Sequence, residues 1–343
     1  MARIFTPTRL LIAGLALFAA AAILYIAPSN EYILLPDRAR PLAPFVKVKG
    51  ERPEHDGGGI YYVAVEIRKA SILEKLIPSI RDGSTLVPAA AILGPKQTEQ
   101  QHQREEIQAM SLSQKIGAAV ALRALNYPVK LESPGTVIEA VDPNGPAAGK
   151  LREQDIVVTV DGKRTPFLTE LRQAIRSHKP GATVELTVRR GQKTTQIKIK
   201  TIPDPQNPDR PIIGVLSSCA SQIFTRVDLP VPVRIDLGQV GGPSAGLAFG
   251  LDVVEELGND IDRGNKVAAT GEICADGSVV PVGGLKQKTI GAKRAGMDVF
   301  LVPSGENTSE ARRYAGRMRV IPVNSFRQAL RALATLPRKQ PKA

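Results

Sequence analysis

The chain contains few of the residues that mark common metal and catalytic sites. Of its 343 residues, two are cysteine, three are histidine and none is tryptophan. Structural zinc sites are built from Cys and His at short spacings, and this sequence has neither a C-x-x-C pair nor a Cys/His cluster. The sequence therefore predicts no metal site. Aromatic residues make up 4% of the chain, so we expect cores packed with aliphatic side chains.

The two cysteines, Cys219 and Cys274, and the charge of the chain constrain its partners only weakly. The cysteines can pair in an oxidising compartment, but a count of two does not establish a disulfide. The formal net charge is +13, which favours anionic partners. No basic segment is interleaved with aromatic residues as in nucleic-acid-binding modules. We expect a solvated basic surface and no nucleic-acid partner.

An uncharged apolar run at residues 10–27 dominates the N-terminus. Eighteen helical residues nearly cross a bilayer core. Arg3 and Arg9 precede the run, and no Lys or Arg follows it before Arg38. The positive-inside rule then predicts a transmembrane anchor with a cytoplasmic N-terminus and the rest of the chain outside the cytoplasm. The alternative is a signal peptide cleaved near the small residues Ala19–Ala22.

Between the apolar run and residue 128, the pattern predicts a stem and a helical arm. Pro and Gly are frequent up to the Gly run at 57–59, and an apolar strand is expected at 60–67. Residues 97–126 lack Pro and are rich in helix formers. Their apolar positions become periodic from Ile107 onward, so we expect a long helix that is solvated first and packed later.

Residues 130–201 follow the order strand, short helix, strand, helix, hairpin. With the segment GPAAGKLREQDIVVTVDGK, this order resembles a bacterial PDZ domain. The resemblance implies a groove between the strand after Gly135 and the helix Leu168–His178, where a peptide C-terminus adds to the strand edge. It implies that backbone N–H groups near Gly135, Thr136 and Val137 receive the peptide carboxylate. The alternative is a module that only packs against its neighbours.

A G-x-S-x-G pattern at 242–246 places Ser244 where a nucleophile often stands. An α/β-hydrolase needs a histidine base later in the chain than this serine. His55, His102 and His178 all precede Ser244, so the order of residues disfavours that triad. A lysine can replace the histidine in Ser-Lys pairs, provided that burial lowers its pKa enough to leave it neutral.

Helical periodicity identifies one candidate lysine after Ser244. The residues on one stripe of the predicted helix 285–295 are Leu285, Lys288, Ala292 and Ala295. Lys288 is the only charged member of this stripe, whereas Lys286 aligns with Lys293 on a face expected to meet water. The alternative for Lys288 is a lysine whose amine reaches back to solvent.

The segments GGPSAGLAF, TGEI and VVPVGGLKQKTIGAKRAG, taken together, are similar to the proteolytic domain of Lon-type serine proteases over residues 212–335. This resemblance implies that Ser244 is the nucleophile and Lys288 the base. It also implies that Thr270 lies beside the lysine and helps to hold it. Gly242 and Pro243 belong to the same motif and are expected to support the site, and Gly241, Gly242 and Gly246 permit close backbone approach.

The order of anchor, arm, PDZ and Lon-like domain resembles the bacterial membrane-anchored, PDZ-containing Lon-like proteases. No G-x-x-x-x-G-K-[ST] occurs, and Val240 and Gly241 stand where ATP-dependent Lon enzymes carry Asp before GPSAG. The resemblance thus implies an ATP-independent, membrane-tethered serine endopeptidase without cofactor, whose PDZ domain captures C-termini of unfolded or specific envelope proteins. It also implies homo-oligomeric assembly. The alternative is a catalytically inactive peptide-binding scaffold.

The expected fold class is α+β, with a transmembrane helix, a small mixed or helical arm, a PDZ β-barrel-like domain and a Lon-type α+β domain. The predicted divisions are a cytoplasmic N-terminus (1–9), an anchor (10–27), a stem and helical arm (28–128), a PDZ domain (129–202), a linker (203–211), a Lon-like domain (212–337) and a basic tail (338–343).

Overall fold

The computed structural model describes residues 7–48, 57–94, 97–219, 222–238 and 240–339, and has a mixed α+β fold. Its first elements, up to the long helix, are α1 (Pro7–Ile26), β1 (Pro28–Pro36), β2 (Arg40–Pro41), β3 (Val46–Val48), β4 (Gly59–Tyr62), β5 (Val65–Ser71), α2 (Ile72–Leu76), β6 (Thr85–Pro88) and α3 (Glu99–Ala124), with short 3-10 turns at Pro78–Ile80 and Ala89–Ala91.

The apolar N-terminal run forms α1, and most of its large side chains are exposed. Leu11, Leu17 and Ile26 expose 73%, 74% and 78% of their surface. Within the described ranges, no helix reaches both the length and the hydropathy that a membrane crossing requires. The structure therefore does not support the predicted transmembrane anchor at 10–27.

The segment predicted as a stem contributes strands to two sheets. Strands β5, β1 and β6 form an antiparallel three-stranded sheet. Strands β2 and β4 instead join the sheet of the Lon-like unit, where β4 lies parallel to the strand Lys266–Ala269. The single strand predicted at 60–67 is thus two strands, because the chain passes from one sheet to the other at Val63–Ala64.

The long helix α3 begins at a capping box in which the Thr98 side chain accepts a hydrogen bond from the Gln101 backbone. Its first turns are mostly exposed, and it becomes buried from Met110 onward. This burial matches the predicted change from solvated to packed. Buried residues of α3 belong to the main hydrophobic core, which also contains the helix that follows Ser244. The arm is therefore part of the Lon-like unit rather than a separate extension.

The PDZ-like unit has its own aliphatic core, which includes Ile138, Val157 and Leu186. Its elements are β7 (Lys130–Glu132), β8 (Thr136–Val137), β9 (Ala140–Val141), β10 (Ile156–Val160), β11 (Lys163–Arg164), α4 (Leu168–Arg176), β12 (Thr183–Arg190), β13 (Lys193–Lys200), β14 (Ile202–Asp204), β15 (Asn207–Ile212) and β16 (Val215–Leu216). The main sheet runs β11-β10-β12-β13, and β8 pairs with β10.

The predicted boundary between the PDZ and Lon-like domains differs from the structure. Residues 203–211, predicted as a Pro-rich linker, belong to the antiparallel hairpin of β14 and β15. Pro203 and Pro211 face each other in its register, and a facing pair that exchanges no ladder hydrogen bonds tolerates proline, which lacks the N–H donor. Strand β16 pairs with β9, and Ile213 is buried in the PDZ-like core. The PDZ-like unit therefore extends to Leu216.

The Lon-like unit is built on a five-stranded sheet with strand order β2-β4-β19-β22-β23. Its later elements are β17 (Arg226–Asp228), β18 (Val233–Ile235), a 3-10 turn (Pro243–Ala245), α5 (Gly246–Glu256), β19 (Lys266–Ala269), β20 (Glu272–Ile273), β21 (Val279–Val280), α6 (Leu285–Arg294), β22 (Val299–Pro303), α7 (Glu306–Tyr314), β23 (Arg319–Val323) and α8 (Phe326–Ala334). Strands β4, β19, β22 and β23 run parallel. Helix α5 packs against β4 and α7 against β22, as helices usually cover parallel sheets.

Two further features join distant parts of the chain. Cys219 and Cys274 form a disulfide with their Cα atoms 5.2 Å apart, which resolves the pairing that the sequence left open. Of the predicted basic tail, Arg338 pairs with Asp260 and Lys339 with Asp298, so its beginning packs against the Lon-like unit. The remainder of the tail and the first six residues of the chain lie outside the described residues.

Candidate active site

Ser244 lies in a tight turn that leads directly into α5. Gly242 precedes it with a φ of +91°, a conformation that L side chains rarely adopt. Pro243 opens the 3-10 turn Pro243–Ala245, and its fixed φ suits this first position. The result is a half-buried Ser244 at the start of a helix whose own residues are buried.

The turn is held in place by hydrogen bonds from both sides. The Gly271 N–H donates to the Ser244 carbonyl at 2.8 Å, and the Thr270 hydroxyl donates to the same oxygen at 3.1 Å. From the other side, the Ser113 hydroxyl of α3 donates to the Pro243 carbonyl at 2.8 Å. These bonds fix the backbone of the serine without using its hydroxyl group.

Lys288 reaches the same point from α6. The helix starts after Gly284, whose φ of +71° turns the chain sharply into it. Lys288 is 4% exposed and lies among the buried residues Leu285 and Ala292, as the stripe predicted. Lys293 is exposed, also as predicted. Lys286 differs from the prediction, since it is half-buried and donates a hydrogen bond to the Ser84 carbonyl at 2.7 Å.

The structure brings Ser244, Thr270 and Lys288 together. Lys288 Nζ lies 2.8 Å from Ser244 Oγ and 3.2 Å from Thr270 Oγ1. Thr270 is fully buried. Because its hydroxyl donates to the Ser244 carbonyl and accepts from Lys288 Nζ, it bridges the lysine amine and the serine backbone. A hydroxyl and an amine at this distance can exchange a proton directly.

Burial lowers the pKa of Lys288 from 10.5 to about 7. Loss of water around the ammonium is the whole cause, because no neighbouring charge contributes to the change. Desolvation penalises the charged form of an amine. A substantial fraction of Lys288 is therefore neutral near pH 7 and able to accept a proton.

The histidines stand away from this arrangement. His178 makes its contacts inside the PDZ-like unit, with Asp161 at 3.0 Å and with the Ala174 carbonyl at 3.0 Å. His102 lies on the first turns of α3, and His55 lies outside the described residues. Among the residues that the structure describes, Lys288 is the one side chain hydrogen-bonded to Ser244 Oγ.

The predicted peptide-binding residues of the PDZ-like unit are not at an open edge. Thr136 and Val137 are buried, and β8 is paired with β10. The Gly135 carbonyl accepts a hydrogen bond from the Gln222 side chain at 2.8 Å, and a side chain at Gly135 would overlap the Val157 carbonyl. The side chains of Thr136 and Val137 are thus packed inside the PDZ-like unit, and the role of Gly135, Thr136 and Val137 in receiving a peptide carboxylate stays a prediction.

A groove lies between α4 and residues 210–217. It has a volume of about 530 Å³. Leu171 and Ile175 form part of its apolar lining, and Arg172 and Arg176 add positive charge. The sequence signal for this groove is the apolar run Ile212–Val215, which contains Gly214 and which the sequence prediction placed in the Lon-like domain (212–337).

Comparisons with known proteins assign the two units. Residues 101–201 match the family model of the PDZ domain, and residues 219–334 match that of the Lon protease (S16) C-terminal proteolytic domain. The chain combines a PDZ domain with a Lon-type proteolytic domain. The predicted resemblance is thus confirmed for both regions. Ser244, Thr270 and Lys288 all lie in the Lon-type domain.

Curated relatives of this chain include Lon proteases of several bacteria. The Lon protease of Chloroflexus aggregans is 39% identical over 101 residues, which cover 28% of this chain and 12% of the relative. Lon protease 1 of Myxococcus xanthus is 32% identical over 123 residues, covering 35% of this chain and 15% of the relative. The chain thus matches only a small part of the length of these relatives.

Among solved structures, the PDZ domain of an SdrC-like protein from Listeria monocytogenes is 29% identical, with a TM-score of 0.24. The match covers 26% of this chain and 92% of that domain.

Proposed function

We propose that this protein is a serine peptidase in which Ser244 is the nucleophile and Lys288 the general base. The observation that carries the proposal is the 2.8 Å distance between Ser244 Oγ and a buried amine whose pKa is about 7. The match of residues 219–334 to the Lon proteolytic domain supports the same chemistry.

In the proposed mechanism, neutral Lys288 takes the hydroxyl proton as Ser244 Oγ attacks a peptide carbonyl carbon. Negative charge then develops on the carbonyl oxygen beside the N-terminus of α5, where the helix dipole favours it. The Lys288 ammonium passes its proton to the departing amine. Water, deprotonated by Lys288, then releases the acyl group. Thr270 Oγ1 holds the amine in line throughout, since it lies 3.2 Å from Nζ.

Hydrolysis of casein and of a fluorogenic peptide tests this proposal. Ser244→Ala and Lys288→Ala should each abolish hydrolysis, whereas Lys293→Ala, on the exposed face of the same helix, should retain it. Residual activity that is equal in the wild type and in both site variants would contradict the proposal. The chain would then be better described as a peptide-binding scaffold.

We propose further that the groove beside α4 binds the C-terminus of the substrate. Its apolar lining suits a hydrophobic terminal side chain, and Arg172 and Arg176 suit a carboxylate. Peptides with a free C-terminus should bind more tightly than amidated copies, as measured by fluorescence polarisation. Arg176→Ala should reduce this difference, and Lys193→Ala, in the exposed hairpin, should not. Equal binding of free and amidated peptides would refute this role.

The compartment and the energy requirement are also proposals. The disulfide Cys219–Cys274 supports a location outside the cytoplasm, and the exposed apolar side chains of α1 support attachment to a membrane. The sequence contains no P-loop, so we propose hydrolysis without ATP on unfolded or loosely folded chains, and assembly as a homo-oligomer. Cell fractionation with a non-reducing gel tests the compartment. Adding ATP to the hydrolysis assay tests the energy requirement, and analytical ultracentrifugation tests the assembly. A fully reduced, cytosolic protein would contradict the proposed compartment.

A further inference from the structure

The carboxylate of Glu106 lies against the loop that carries Ser244. The Glu106 carbonyl accepts a hydrogen bond from the Gly242 N–H at 2.9 Å. A Cβ atom placed on Gly241 would lie 2.8 Å from Glu106 Cβ, and one placed on Gly242 would lie 3.0 Å from Glu106 Oε2. The Glu106 side chain therefore fills the space beside both glycines, and its carboxylate stands over Gly242, two residues before Ser244.

Helical spacing explains why this residue of α3 reaches the site. Glu106, Met110, Ser113 and Gly117 recur at intervals of three or four and share one face of the helix. Ser113 bonds to Pro243, and a Cβ on Gly117 would lie 2.9 Å from the Gly246 carbonyl. Met110, Ser113 and Gly117 are buried, whereas Glu106 is half-buried. Glu106 thus stands where this face meets solvent, at the mouth of the site.

Among the described residues, the neighbouring acids of α3 have partners and the Glu106 carboxylate has none. Glu99 bonds to Tyr32 and Lys69, and Glu105 accepts a hydrogen bond from Gln97. Within the part of the chain that the structure describes, no hydrogen bond or ion pair is made by the Glu106 carboxylate. An unpaired carboxylate places a negative charge beside the loop, and the neutral form of Lys288 does not offset it.

We infer that Glu106 is a specificity-determining residue that favours substrates with a Lys or Arg side chain close to the scissile bond and disfavours those with Asp or Glu there. The inference rests on the proposed function, because it assumes that a substrate passes over Gly242 to reach Ser244. An opposite charge held beside this path attracts the substrate side chain, whereas a like charge repels it. An uncharged side chain at the same position is indifferent to Glu106.

Three fluorogenic peptides that differ only in one residue next to the scissile bond, Lys, Ala or Glu, test the inference on the full chain. The wild type should give the highest kcat/KM with the Lys peptide and the lowest with the Glu peptide. Glu106→Gln should reduce the Lys-to-Glu ratio by about fivefold, the size expected of one partly exposed charge pair. It should leave the Ala peptide unchanged. Glu105→Gln, one position along the helix, is the matched control and should keep the wild-type ratio.

Two results would overturn the inference. One is a Lys-to-Glu ratio that is the same in Glu106→Gln and wild type. The other is a common change for all three peptides with a displaced pH profile, which would mean that Glu106 acts through Lys288. Binding of the same peptides to the Ser244→Ala chain, measured by fluorescence anisotropy, separates the two proposals. A charge preference there that Glu106→Gln removes supports the inference even if the wild type hydrolyses nothing, and no preference there contradicts it.

Discussion

Replacing Lys288 with methionine should stabilise the protein near neutral pH while it removes the proposed base. Lys288 titrates near 10.5 when unfolded, and burial lowers its pKa to about 7 in the folded chain. Between these two values the unfolded chain binds a proton that the folded chain lacks, so the free energy of unfolding of the wild type rises with pH across this window. The penalty for burying the amine is fully present below the folded pKa and absent above the unfolded pKa.

The size of the effect follows from the two pKa values. Each pKa unit corresponds to about 1.4 kcal/mol, so the difference between 10.5 and about 7 gives a penalty of roughly 5 kcal/mol. Methionine is similar in length and carries no charge, but it loses the hydrogen bonds to Ser244 and Thr270, at about 1 kcal/mol each. We therefore expect Lys288→Met to raise the free energy of unfolding by roughly 3 kcal/mol near pH 7.

Urea unfolding followed by circular dichroism, at several pH values, measures this change. The gain should shrink as pH rises toward the unfolded pKa of 10.5. Lys293→Met, at an exposed position of the same helix, is the control and should show no such pH-dependent gain. A Lys288→Met chain that is less stable than the wild type near neutral pH, or a gain that does not vary with pH, would refute the reasoning.

Three further changes probe the surroundings of the site. Thr270→Val should lower the rate of Ser244 labelling by a serine-directed probe by about tenfold, and Thr270→Ser should restore most of it. A labelling rate in Thr270→Val equal to that of the wild type would remove Thr270 from the mechanism. Gly117→Ala should lower the free energy of unfolding by about 1–3 kcal/mol, because its Cβ would lie 2.9 Å from the Gly246 carbonyl, whereas Gly94→Ala, at an exposed turn, should not. Replacing both cysteines with alanine should lower that free energy by about 4 kcal/mol, since the disulfide spans 55 residues. A melting temperature that is unchanged by replacing both cysteines would contradict the expected loss of about 4 kcal/mol.

The candidate site could be predicted from sequence because its essential signals are local. The motif around Ser244 and the stripe that contains Lys288 each lie within one turn or helix, and helical periodicity alone separates Lys288 from Lys293. The resemblance to Lon-type domains then related the two segments. Sequence patterns do not give the distance between them, which depends on how α6 packs against the connection between β19 and β20 that contains Thr270.

The parts that sequence reasoning missed depend on long-range pairing. Glu106 and Ser113 lie more than a hundred residues before the loop that they contact, and nothing in their own segment indicates this contact. The groove beside α4 was not predicted, because residues 210–217 return from the end of the PDZ-like unit to lie beside α4. Strand partners are selected by tertiary packing, and a short apolar run does not reveal which neighbour it will have.

The pH dependence of Ser244 labelling by a serine-directed phosphonate tests the central claim most directly, which is that a neutral Lys288 activates the hydroxyl. The labelling rate should rise with pH and reach half of its maximum near the folded pKa of about 7. In Lys288→Ala the rate should be low and should lack this step. A half-maximum close to 10.5, the pKa of a solvated lysine, or a Lys288→Ala profile that matches the wild type, would contradict the claim.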